Sequence, residues 1–191
     1  MYYNPHNQVL ISKSFKTASS SLYTFCVTNL MEDGCKQMNM HRTIPILIDK
    51  WDIPTDGLTR IVGIRNPWDY VASAFHWAQV NGECPLSYSF NDFVFKKSDF
   101  DWKRQLKFWD MGYIDDVIVF EDFGNEVQRI CNDYGLSRGV GKPTTWEKKT
   151  LNQSMGYRIL YQNQEEIDEV QNVFSDHLVI FEERFGVKYK F

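Results

Sequence analysis

Lys16 heads a run of small residues, Thr17, Ala18, Ser19, Ser20 and Ser21. A full positive charge followed by hydroxyls and unhindered backbone suits the holding of a phosphate-like anion. A second group lies further on: Arg65, and Ser73 on the segment after it. An arginine grips a phosphate through two parallel, charge-assisted hydrogen bonds, and a serine hydroxyl can donate a further one. Each group also has a plainer use. A serine caps a helix, and an arginine forms a surface ion pair. A cap needs one serine, however, whereas this lysine is followed by five small residues.

Both groups sit where elements change. Val9, Leu10 and Ile11 read as a short buried strand. Leu22, Phe25, Cys26 and Leu30 show the three- and four-residue spacing of one buried helix face. The hydroxyl run therefore lies at a helix N-terminus, where unpaired N–H groups converge and the dipole favours negative charge. The loop has no glycine and its lysine comes first, so it is not the G-x-x-x-x-G-K-[ST] loop of nucleotide triphosphatases. Ile61, Val62 and Ile64 read as a second buried strand, parallel by type. Arg65 ends it, Asn66 and Pro67 are favoured at a helix start, and Trp68, Val71, Ala72 and Phe75 form the buried stripe.

A third strand, 117–120, leads through Glu121 and Asp122 to a helix carrying Val127, Ile130 and Cys131. Strand, loop and helix thus recur at 9–30, 61–80 and 117–133, the α/β alternation of a parallel sheet wrapped by helices. Ligands in such folds sit beyond the carboxyl ends of the strands, where Lys16, Arg65 and Glu121 fall. Elsewhere, 32–42 and 82–88 read as loops, 89–97 and 101–111 as helices, and 163–185 as one long helix with Ile167, Val170, Phe174, Leu178 and Phe181 on one side. For 43–51, Pro45 suits a helix's first turn or an edge strand, and the helix is favoured. The stretch 135–154 is the longest irregular one.

The 191 residues suffice for one domain with a substantial core. A net charge of −4 argues against a general nucleic-acid binder, so any anion site must be a local basic pocket. Four cysteines with no C-x-x-C pair fit reduced, partly buried thiols. No apolar run approaches the length of a membrane span, and MYYNPHNQ lacks the regions of a signal peptide. A cytoplasmic protein is the expectation.

The string KTASSS, Lys16 to Ser21, resembles the 5′-phosphosulfate loop of sulfotransferases, in the P-K-T-A-S-T-S form of the carbohydrate sulfotransferases. Phe15 stands where that form has proline. IRNPWDYVASAF, 64–75, resembles the family's 3′-phosphate motif, R-[ND]-P-x-[DE]-x-x-x-S, with Arg65, Asn66, Pro67, Asp69 and Ser73 at the matching positions. Residues 102–123 resemble the stretch in which W-R-P-Q precedes a strand ending F-E-[ND]-L, and RFGVKYKF is loosely like the family's F-G-Y-x-F ending.

The resemblance implies a single P-loop-like, three-layer α/β domain over 1–191, with a central, mostly parallel sheet flanked by helices. It implies 3′-phosphoadenosine 5′-phosphosulfate (PAPS) as donor, 3′-phosphoadenosine 5′-phosphate (PAP) as product, no metal, and a hydroxyl-bearing acceptor such as a glycan. Lys16 and the N–H groups of 17–21 would meet charge on the leaving phosphate. Thr17, Ala18, Ser19, Ser20 and Ser21 would line the 5′ end, and Arg65 and Ser73 would take the 3′-phosphate. A hydroxyl acceptor needs a general base. His41 lies where several carbohydrate sulfotransferases carry a histidine taken to be the base; a related branch uses glutamate instead. His76 reads as structural. Lys148, Lys149, Asn152 and Ser154 would close over the nucleotide. Tyr88, Phe90, Trp102, Trp109 and Trp146 could stack on a sugar or pack the core. Two rivals stay open: a kinase-like phosphotransferase using ATP and Mg²⁺, and a non-catalytic PAP- or glycan-binding relative.

Overall fold

A computed structural model describes residues 1–32, 34–38, 41–95, 101–136 and 156–191. In chain order the elements are β1 (Tyr2–Asn4), β2 (Val9–Ser12), α1 (Ser19–Asn29), β3 (Lys36–Gln37), α2 (Ile44–Trp51), β4 (Thr59–Ile64), α3 (Pro67–Val80), α4 (Phe90–Phe95), β5 (Asp116–Val119), α5 (Phe123–Asp133), α6 (Gln164–Val173) and α7 (Ser175–Phe185). Short 3-10 turns cover Trp102–Lys107, Met111–Tyr113, Phe120–Asp122 and Tyr157–Leu160. The chain divides into two compact units: Met1–Ile64 with the described residues from Lys107 to Leu136, and those of Arg65–Leu106 with 156–191.

The first unit is built on an open five-stranded sheet in the order β3-β1-β2-β4-β5, flanked by helices. The expected α/β class is present, but the sheet is mixed rather than mostly parallel. β2, β4 and β5 pair in parallel, with Ile11 beside Ile61 and Val62 beside Val117. β1 pairs antiparallel with both β2 and β3, Tyr3 lying beside Leu10 and beside Lys36. The antiparallel half comes from the first 37 residues, where a tight turn after Asn4 returns the chain along its own strand. Asn4 Oδ1 accepts from the N–H groups of His6 (2.8 Å) and Asn7 (3.1 Å), the asparagine device for closing a turn.

Side chains alternate across these strands. Val9, Ile11, Ile61 and Ile118 share one core with Leu22, Phe25 and Cys26 of α1 and Val127, Ile130 and Cys131 of α5. Leu10, Val62 and Val117 point the other way and are buried too, which is why the strands are apolar without a break. All four cysteines are free thiols. Burial pushes the Cys26 thiol up to about 12 and that of Cys131 up to about 11, so both act as small core residues.

The second unit packs α3 against α4, α6 and the Tyr157–Leu160 turn. Asn66 caps α3, its side chain accepting from the N–H groups of Trp68 (3.0 Å) and Asp69 (3.3 Å), with Pro67 following it. The Phe75 ring meets Phe90 at 5.5 Å and Phe93 at 5.3 Å. Trp68 Nε1 donates to Ile167 O (3.1 Å), and Tyr161 OH to Trp68 O (2.9 Å). Glu166 is buried and accepts from Asn91 Nδ2 (3.0 Å) and Gln162 N–H (2.7 Å), tying α4 to the start of α6.

Two expected helices come out differently. The long helix of 163–185 is two helices, broken at Phe174, whose backbone at φ −101°, ψ 9° leaves the helical region. In place of a helix over 101–111 stand two 3-10 turns, Trp102–Lys107 and Met111–Tyr113, the first opened by Asp101 Oδ1 accepting from Lys103 N–H (2.9 Å). The 43–51 segment is a helix, with Pro45 in its first turn. Most of the 135–154 stretch, with Trp146, Lys148, Lys149, Asn152 and Ser154, lies outside the described residues. No helix among the described residues is long and apolar enough to cross a membrane.

Candidate functional site

The lysine-led loop runs from the end of β2 to the start of α1. Lys16 (φ +57°) and Ala18 (φ +53°) both adopt the left-handed backbone region, which costs a residue bearing Cβ on the order of 1–3 kcal/mol. That conformation turns the chain sharply enough for Ala18 to be the N-cap and Ser19 the first helical residue. The N-cap residue, Ala18, makes no side-chain capping bond to α1. Ser19, Ser20 and Ser21 are therefore its first turn and not its caps, which removes the plain capping explanation for the serine run. The N–H groups at the positive end of a helix dipole belong to these three serines. Ser19 and Ser21 are buried, while Ser20 and Lys16 are half-buried.

The loop is fixed from beneath by polar contacts that no motif announced. Ser14 Oγ donates to Gly63 O (2.5 Å) and lies 3.0 Å from Thr17 Oγ1, which donates to Ser14 O (3.2 Å). Trp109 Nε1 donates to the same Gly63 carbonyl (3.0 Å). A Cβ built on Gly63 would lie 2.7 Å from Thr17 Oγ1 and 3.2 Å from Thr17 Cβ. The loop thus rests directly on β4, and only glycine leaves room for it. The isolated glycine in the strand run RIVGIR was the one sequence signal of this approach.

His41 stands beside this loop. Its Nδ1 lies 2.9 Å from Lys13 O, and its ring makes edge contacts with Phe15 (5.5 Å) and Phe108 (6.2 Å). A carbonyl only accepts, so Nδ1 carries the proton and Nε2 of the neutral ring carries the lone pair. The structure therefore brings Lys16 and His41 to one loop, both against Phe15, whose ring centroid is 5.9 Å from Lys16 Nζ. Neither Phe108 nor the buried Lys13 was singled out from the sequence.

Arg65 and Ser73 belong to the second unit, and both are buried. Arg65 follows the last residue of β4; its Nε and Nη2 reach one oxygen of Asp69, Oδ2, at 2.8 and 2.7 Å. This i,i+4 pair fixes the guanidinium along α3. Ser73 Oγ is buried and has no hydrogen-bond partner among the described residues. Buried hydroxyls are rarely left in that state, and a helix serine can ordinarily bond back to the carbonyl one turn earlier. Glu121 lies in the exposed turn after β5.

Phe90, Trp102 and Trp109 are core residues, with exposures of 6%, 3% and 0%, which removes them as sugar-stacking candidates. Tyr88 is half-buried. Among the described residues, no three His, Cys, Asp or Glu side chains come together so as to hold a metal ion. The chain matches no family model and no curated protein.

Proposed function

We propose that this chain is a PAPS-dependent sulfotransferase with a P-loop-like, three-layer α/β fold, acting on a hydroxyl acceptor such as a glycan. The observation that carries the reading is Ser73, a buried hydroxyl without a partner among the described residues, at the serine position of the 3′-phosphate motif headed by Arg65. A polar group left in that state fits one whose partner is a ligand. Asp69 supports the same role, since it holds the Arg65 guanidinium in a fixed plane.

In this reading the donor supplies the sulfuryl group. Arg65 and Ser73 hold its 3′-phosphate, and the N–H groups of Ser19, Ser20 and Ser21 hold its 5′ end. Lys16 stabilises negative charge as it grows on the leaving phosphate oxygen. His41 Nε2 takes the proton of the acceptor hydroxyl while that oxygen bonds to sulfur and the sulfur–phosphate oxygen bond breaks. Catalysis is then mostly positioning and charge stabilisation, as in phosphoryl transfer.

Transfer of radiolabel from PAPS to a panel of hydroxyl acceptors tests the activity, and thermal shift with PAP tests the site. PAP should raise the melting temperature without a metal, and labelled ester should form with some acceptor. Stabilisation by ATP with Mg²⁺ but not by PAP would replace this reading with a phosphotransferase. Stabilisation by PAP without transfer would leave a non-catalytic binder.

A further inference from the structure

Phe15 touches both groups to which the chemistry is assigned. Its ring is buried, at 8% exposure. Lys16 Nζ lies over it, 5.9 Å from the centroid, within the range of a cation–π attraction. The His41 ring stands edge-on to it at 5.5 Å, and Phe108 bounds the imidazole again at 6.2 Å. The imidazole also meets the Lys13 carbonyl, which accepts from His41 Nδ1. In the resembling family a proline at this position restrains the loop through its own φ. A phenylalanine cannot do that, yet its side chain can hold neighbours that a proline ring does not reach.

From these contacts we propose that Phe15 is a positioning residue that holds the Lys16 ammonium and the His41 imidazole on one aromatic ring. It keeps His41 in the Nδ1–H tautomer by pressing the ring toward the Lys13 carbonyl. What Lys16 and His41 then do rests on the sulfotransferase reading; how they are held does not. The Phe15 ring narrows the rotamers open to the flexible Lys16 stem, and edge-on packing opposes a rotation of the imidazole that would offer its other nitrogen.

The test is the ¹⁵N signature of the His41 imidazole in the full chain without nucleotide, in wild type, Phe15→Leu and Phe15→Tyr. Wild type should show the Nδ1–H tautomer. Phe15→Leu keeps apolar volume but loses the ring, and should show both tautomers. Phe15→Tyr should restore the single form. A wild-type spectrum dominated by Nε2–H overturns the proposal without any variant, and so does a Phe15→Leu spectrum identical to wild type. In sulfuryl transfer, Phe15→Leu should lower kcat about 10- to 100-fold, the scale of a misplaced catalytic group, with Phe15→Tyr recovering most of it. Since the spectrum needs no donor, failure of the chain to bind PAP would overturn the proposed function and leave the role of Phe15 to be decided by the spectrum.

Discussion

Thr17 and Gly63 approach so closely that a methyl group on the glycine would lie 2.7 Å from the threonine hydroxyl. Thr17 cannot simply swing aside, because its Oγ1 is engaged with Ser14, whose own hydroxyl donates to the Gly63 carbonyl. Gly63→Ala should therefore lift the loop off β4. The expected loss is about 1–3 kcal/mol by urea denaturation, the scale of overpacking a filled site. A variant as stable as wild type would show that the loop has slack.

Lys16→Ala should abolish sulfuryl transfer and leave the fold intact. Lys16 is half-buried, and its side chain lies over the Phe15 ring rather than inside the core. Its removal should cost little stability, and circular dichroism and melting temperature would check that. Full transfer activity in the variant would refute the role given to this lysine.

Arg65→Ala and Ser73→Ala should weaken PAP far more than adenosine 5′-phosphate. Loss of a charge-assisted hydrogen-bonding partner is worth about 1.5–3 kcal/mol, or roughly 10- to 150-fold in affinity. Ser73→Ala should bind PAP more weakly without losing stability, since Ser73 Oγ bonds to nothing among the described residues. Calorimetry with the two nucleotides separates the outcomes, and equal weakening of both would make these residues merely structural.

Asp116 and Arg129 clamp α5 to β5 away from the loop. Arg129 Nη1 donates to Asp116 Oδ2 (2.9 Å) and Nη2 to Oδ1 (3.1 Å), while Tyr134 OH donates to Oδ2 (2.9 Å). Burial alone would push the Asp116 carboxyl up, but the bonds from Arg129, Val117 N–H and Tyr134 outweigh it and hold the carboxyl below its ordinary value. A depressed value in the folded state means stability present above the ordinary carboxylate range and lost as pH falls through the folded value. Asp116→Asn should therefore cost about 1–3 kcal/mol near pH 7. The gap to wild type should close as pH drops below the ordinary range, as urea denaturation at several pH values would show. A gap constant with pH would refute the charge-based account.

Much of this could be read from residue order. The strands at 9–12, 59–64 and 116–119 and the buried faces of α1, α3 and α5 follow from local spacing and cap residues. β1 and β3 could not be read that way. Three and two residues carry no period, and Lys36 and Gln37 are exposed, so their pairing rests on backbone bonds. The break at Phe174 was hidden because Val170, Phe174 and Phe181 keep one apolar stripe across it, and all three are buried.

The candidate site divides along the same line. The lysine with its serine run, and the arginine with its serine, were visible because residue type and short spacing express what an anion needs. The seat of Thr17 on Gly63, the contact of Phe15 with His41 and the want of a partner for the Ser73 hydroxyl among the described residues were decided only by the tertiary structure. Each depends on where folding sets a residue's neighbours, in two of the three cases across tens of residues of chain, and linear spacing carries no record of that.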